Sequence, residues 1–384
     1  MDFCISLSDI LERIKSNRYN ILDLIIEYII KDKDLRKSIE DEIGKIEPIR
    51  QENGMILKID FNRGGEDSPQ PNIFQLYLSG NGYVWIDWGD ETPLEKIKLT
   101  NTNVPISHQY EDKINYEIIV YGQENAPNQK IYFGSGSTKS ETNIYLEKII
   151  SWGDLRLVSL SGALNSTIDT LTVPNNLPPT VKDLSYLLRD SAVSDLVNIG
   201  DWNTSKVTNM SWMFYRAVNF NGDISNLNTT NVTDMSHMFR EAISFNGDIS
   251  DWNTTNVTNM SHMFREAVFF NKDISDWNTS KVTDMSHMFR EAISFDRDIG
   301  GWDTSSVKNM SYMFAASNFK QNIGGWDTSY VEDMSFMFFG AVGFSWDLSG
   351  WCVLRIPEKP ENFDTDSGFE GEEHLQPDWG HECS

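Results

Sequence analysis

The chain has 384 residues, 39% of them hydrophobic, enough for two or three packed domains and too many for a disordered polymer. Its 57 acidic residues outnumber 32 basic ones, for a formal net charge of −25. That balance argues against nucleic acid and anionic membranes as partners, because both require a positive footprint. No apolar run reaches the ~18 residues needed for a helix across a bilayer, so no membrane span is expected. The opening residues, Met1 to Asp9, lack the basic start and small-residue cleavage site of a secretory leader.

In chain order, residues 1–50 read as short amphipathic helices. Ile10, Leu11 and Ile14 share one face, followed by the sets Ile21, Leu22, Ile25, Ile26, Ile29 and Leu35, Ile39, Ile43, Ile46. Those faces must be covered in cis, by a partner or by a second copy, so the segment is either a packed subdomain or a device for attachment or homo-oligomerisation. From about Met55 the pattern turns to short strands: Met55–Phe61, Ile73–Leu78, Tyr83–Trp88, Glu95–Leu99, Tyr116–Tyr121 and Lys130–Phe133. Gly, Asn, Pro and Asp clusters separate them. The expectation over 54–144 is a β-sandwich. Trp85 to Asp90, with His108-Gln109-Tyr110 downstream, resembles the polycystic-kidney-disease (PKD) type of immunoglobulin-like domain, in which a WGDG turn and an H-x-Y form the signature; Glu91 replaces the last glycine. The resemblance implies a spacer.

Residues 145–351 are self-similar. Trp202, Leu227, Trp252, Trp277 and Trp302 recur every 25 residues, followed by Trp326 after a shortened interval and by Trp351. Within one copy Met235, Met238, Phe239 and Ala242 fall at i, i+3, i+4 and i+7, the spacing of one helix face, and Phe245, Ile249 and Trp252 then read as a strand and turn. The expected fold class is therefore an α/β repeat solenoid with a short strand and a helical turn per unit. A lone unit buries too little apolar surface to order its backbone, so the copies must stack.

The recurring W-N/D-T-S/T-x-V-T-D/N-M-S-x-M-F-x-x-A-x-x-F-x-x-D-I resembles the 25-residue repeat of mycoplasma and Bacteroidetes surface lipoproteins, related to BspA-type leucine-rich repeats. The resemblance implies adhesion or partner binding at a cell or particle surface, with no catalytic residues to carry over. Residues 352–384 resemble the cap that closes some of these arrays, and the resemblance implies a disulfide between Cys352 and Cys383; Cys4 is the third cysteine. An oxidised pair implies an oxidising place of maturation, which sits in tension with the absent leader.

Stacking turns each repeat position into a column. One column is aromatic: Tyr186, Trp212, His237, His262, His287, Tyr312, Phe336. Three adjacent imidazoles suggest a metal, but no carboxylate or cysteine column stands at a ligand offset, and a stacking face is the simpler reading. A second column, Asp223, Asp248, Asp273 and Asp298 with Asp347 beyond Asn322, is acidic. Its carboxylates must be solvated, bonded to turn backbone or shared with calcium. Arg240, Arg265 and Arg290 beside Glu241, Glu266 and Glu291 read as a charge-cancelling face. Sequons such as Asn203-Thr204-Ser205 and Asn256-Val257-Thr258 read as one repeated turn.

No nucleophile, base and orienting group recur together, and no phosphate loop or HExxH helix is present. The expectation is a non-enzymatic, cofactor-free binding, adhesion or structural protein whose partner is a protein or glycan surface. Three placements fit: a virion or particle surface, a bacterial cell surface, or a cytoplasmic scaffold.

Overall fold

The computed structural model describes residues 53–64, 72–112, 114–123, 126–168 and 171–381. The helical segment expected over 1–50 lies outside them. Residues 53–384 form one compact unit, described here by itself.

Each segment expected to be extended over 54–144 lies on a strand, whereas Phe245 to Trp252, expected as the strand of the repeat, does not: there the coils meet through single bridges at Asp234, Asn259 and their equivalents instead. Along β1 (Met55–Asp60) Met55, Leu57 and Ile59 are buried while Ile56, Lys58 and Asp60 are half-buried, the period of two that a pleated strand imposes. The strands that follow are β2 (Ile73–Leu76), β3 (Leu78–Gly80), β4 (Tyr83–Asp87), β5 (Glu95–Lys98), β6 (Ile106–Gln109), β7 (Asn115–Tyr121), β8 (Ile131–Phe133), β9 (Leu146–Ser151), β10 (Leu157–Ser159), β11 (Leu171–Thr172) and β12 (Leu196–Val197). They make a seven-stranded sheet in the order β12-β11-β9-β1-β7-β4-β5, a three-stranded sheet β10-β8-β3 and the pair β2-β6.

The two larger sheets change character partway across. Pairs β1/β7, β1/β9, β4/β5 and β4/β7 are antiparallel, whereas β9/β11, β11/β12 and β8/β10 are parallel. Antiparallel neighbours need only a hairpin, and parallel neighbours need the chain to travel round and return. At β9 and β10 the chain therefore begins to coil. The strand-rich segment shares its sheets with the first coils and closes their end, rather than standing apart as a spacer.

From Ser159 the parallel contact continues as single bridges, Ser159 to Asp183, Asn209, Asp234, Asn259, Asp284, Asn309 and Asp333, one per coil. Within each coil Val232, Met235, Met238, Phe239, Ala242, Phe245, Ile249 and Trp252, or their equivalents, point inward and are buried. Phe239, Phe264, Phe289 and Phe314 stack at 5.7–5.8 Å, and Trp277, Trp302, Trp326 and Trp351 at 6.3–6.5 Å. Each indole N–H donates to an isoleucine carbonyl of the preceding coil, as Trp277 does to Ile249 at 3.1 Å. A ring that size is buried cheaply only when its one polar atom finds a partner.

The expected helical turn is not there, and the α/β, leucine-rich-repeat-like fold class is corrected. Among the described residues no α-helix occurs; the helical residues are four 3-10 turns, Phe61–Gly64, Asn143–Tyr145, Ile199–Asp201 and Glu373–Leu375. The stretch Met235–Ala242 is a run of tight turns, with Met238, Arg240 and Ala242 donating to Met235, His237 and Phe239 three residues back. The alternate amides, of Met235, His237, Phe239 and Glu241, donate to Asn259, Ser261, Met263 and Arg265 of the next coil at 2.8–3.1 Å. A helix would spend every amide on its own i−4 carbonyl. Here half of them bind coil to coil. Successive turns return the chain to the same side every three or four residues, so they produce the apolar spacing that a helix produces.

The far end is closed by the chain itself. Phe336, Phe338 and Gly340 donate to Glu361, Phe363 and Thr365, and the rings of Phe363 and Phe369 meet Phe338 edge-on at 5.4 and 5.5 Å. Cys352 is disulfide-bonded, and its partner lies outside the described residues, as do Cys4 and Cys383.

Candidate functional site

The outward columns of the array are the candidate surface. The aromatic column forms one uninterrupted stack. Trp212 to His237 is 3.7 Å between centroids, His237 to His262 and His262 to His287 are each 4.2 Å, and His287 to Tyr312 is 4.5 Å, with planes within 13°. Every member takes a left-handed backbone, φ 57° to 60° from Tyr186 to Phe336. Bulky residues avoid that region at a cost of about 1–2 kcal/mol each, and here the stack and the coil-to-coil hydrogen bond of each amide offset it.

The three imidazoles are neutral. Burial pushes their pKa values down to about 3 for His237, about 2 for His262 and about 4 for His287, reinforced by Arg240, Arg265 and Arg290 and by the histidines' mutual repulsion. Their Nδ1 atoms are buried with no hydrogen-bond partner in the protein, so a proton added there would have nowhere to donate. Rings stacked face to face cannot turn their nitrogens on a single ion, and the described residues contain no cluster of His, Cys, Asp or Glu able to hold a metal. Beside the stack, Arg240–Glu241, Arg265–Glu266 and Arg290–Glu291 pair within each coil at 3.0–3.2 Å.

In the acidic column, Oδ1 of Asp223, Asp248, Asp273 and Asp298 accepts the backbone N–H two residues on, from Ser225, Ser250, Ser275 and Gly300 at 2.9–3.1 Å. Bonds from these serines hold Asp223, Asp248 and Asp273 below the usual carboxylate range. Asn322 and Asp347 make the same turn with Gly324 and Ser349. Asp223, Asp248, Asp273 and Asp298 are all exposed. The middle residue of the Asn-Thr-Thr turns is spent structurally: Thr229 and Thr254 are buried and donate to the carbonyls of Asn253 and Asn278 in the next coil, while Thr258 of Asn256-Val257-Thr258 is exposed and donates to the Thr233 carbonyl at 3.1 Å.

Sequence reasoning missed two columns. The bridge column alternates Asp183, Asn209, Asp234, Asn259, Asp284, Asn309, Asp333. At about 4.8 Å per rung, alternation holds its carboxylates about 10 Å apart, near the screening length of physiological salt. The second runs through Gly222, Gly247, Lys272, Arg297, Gln321 and Trp346, where two glycines open a groove of about 420 Å³ lined by Asn221, Asp223, Ser225, Asn246, Asp248, Ser250 and Asp251. The column varies in the sequence within an otherwise strict period, so it forms no motif.

In the strand-rich part the motif residues meet. His108 stacks on Trp88 at 4.6 Å and its Nε2 lies 2.7 Å from an Asp90 oxygen, while the buried Tyr110 hydroxyl donates to the Trp88 carbonyl at 3.1 Å. Glu91 takes φ 64°, the conformation a glycine would supply in that turn.

The model of the family described as "Mycoplasma protein of unknown function, DUF285" matches residues 182–284 and 270–374. The match lies on the array and its cap, and the PKD-type resemblance of the preceding strands gains no support from it. No curated protein and no solved structure matches the chain.

Proposed function

The chain belongs to the DUF285 family of Mycoplasma proteins of unknown function, and on that premise we propose that it is a non-enzymatic surface-binding protein whose array presents its outward columns to a partner at a cell surface. One observation carries the reading: from Ser159 to Asp333 the backbone is locked coil to coil, so the outward side chains stand on a rigid, evenly spaced support. A surface that is already ordered loses little entropy on docking. Apolar groups stand exposed along the array, Phe269 at 58%, Ile293 at 49% and Val342 at 69%.

The test is saturable binding of the labelled full-length chain to intact cells, compared with variants changed one outward column at a time, such as Phe269→Ser with Ile293→Ser. The reading expects saturable binding that at least one such variant reduces without lowering the melting temperature. Binding that never saturates, or that no column change affects, contradicts it.

A further inference from the structure

We propose that the groove over Gly222 and Gly247 is a binding site for arginine side chains of a basic peptide segment. This inference rests on the surface-binding reading and deepens it. The argument comes from what the chain itself places in the same column farther along. Arg297 lies back across the preceding coil and donates its Nε to the carbonyl of Asn271 at 2.9 Å. Gln321 does the same to Asp296, reaching its carboxylate at 2.9 Å, and the Trp346 indole donates to the carbonyl of Lys320 at 2.8 Å. Three different side chains thus converge on one role, an N–H group laid over the coil behind. Where the column holds Gly222 and Gly247 that role is unfilled, and the groove is the space left.

Charge sets the two ends of the groove apart. Lys272 acts on Asp248 and Arg297 on Asp273, so of the groove's acids Asp248 already has a cation acting on it. The neighbouring charge that acts on Asp223 is another carboxylate, Asp248. The Asp195 carboxylate adds to this, lying where a Gly222 side chain would begin. The lining offers carboxylates at Asp223, Asp248 and Asp251; the Oδ1 atoms of Asn221 and Asn246 are taken by the backbone N–H groups of Asn246 and Asn271, leaving those two side chains only amide donors, which a guanidinium does not use. A guanidinium matches the carboxylates: its planar fork bonds two acceptor oxygens together and is desolvated at lower cost than an ammonium.

The probe is a fluorescent octa-arginine peptide titrated with the full-length chain at physiological salt. Gly247→Arg fills the groove from within, as Arg297 fills its own coil; a Cβ at Gly247 comes to 3.0 Å from the buried Phe245 ring, which must shift by a few tenths of an ångström. Gly325→Arg adds the same charge at a position with nothing within 4 Å. The proposal expects Gly247→Arg to weaken binding about tenfold or more and Gly325→Arg to leave it within about twofold. Equal weakening by both variants, or by neither, overturns it, since binding would then follow net charge alone. If Gly247→Arg does not fold, Asp248→Asn decides, because Asn322 shows that the column accepts asparagine; expected is a loss of about threefold or more, and unchanged binding overturns the proposal. Cell binding by the Gly247→Arg chain separates the two claims: retained cell binding with lost peptide binding leaves the surface reading standing without this groove as its contact.

Discussion

The strand-rich part and the array solve the same problem, a dry interior with every backbone group bonded, by opposite means. In the first, each contact is made once: the Trp88, Asp90, His108 and Tyr110 set has no second copy. In the array every contact is made again one coil later, from the Trp277-to-Ile249 bond to the Trp302-to-Ile274 bond and onward. Where contacts are unique a defect stays local, and where they are columnar a defect interrupts a stack and is felt on both sides.

The largest expected effect follows from that contrast. Met260 is fully buried between coils, and Met260→Asp should cost about 5 kcal/mol or more and melt the array cooperatively; a thermal scan within a degree or two of the parent would break the comparison. Next, Phe264→Ala removes one ring from a stack extending to Phe239 and Phe289 and should cost about 3–5 kcal/mol by denaturant titration. Hydrogen exchange should show loosening in the coils on either side, whereas Ile118→Ala in β7 should leave exchange in the array unchanged. Smaller again are Trp277→Phe and Tyr110→Phe, each losing one buried donor, at about 1–2 kcal/mol apiece.

The pH dependence is the most graded. The folded pKa values of His237, His262 and His287 lie at about 3, 2 and 4, below the ordinary unfolded value of about 6.5. Between these limits the unfolded chain binds more protons, so stability is fully present above about pH 7 and declines as the pH falls from about 6.5 towards 4. Replacing all three by Phe, which Phe336 shows the left-handed column accepts at φ 57°, should flatten that slope in urea titrations across the same window. A triple variant with the parent's slope would mean that the stack does not resist protonation.

The interior was legible in the sequence because identical side chains at a fixed period announce a shared environment; Val232 to Trp252 could be placed inward by spacing alone. The conformation was not. Spacing records which residues share a side and carries nothing about where alternate amides donate, and the left-handed angles at His237 and Glu241, which exclude a helix, fall on residue types that give no warning. The junction at β9 was hidden for a related reason, since a short apolar run such as Leu146 to Ser151 carries nothing about whether its neighbour is a hairpin partner or the next coil. The glycine groove was hidden by its own irregularity, because a site built from what a column lacks leaves no motif.

The central claim is that the turn-rich segments bind coil to coil through their backbone. Hydrogen-bond scalar couplings in isotope-labelled full-length protein test it directly. The amide of His262 should couple to the carbonyl carbon of Ser286 in the next coil, the bond found here at 2.8 Å. Coupling of that amide to Thr258, four residues back, would mean a helix and would contradict the account.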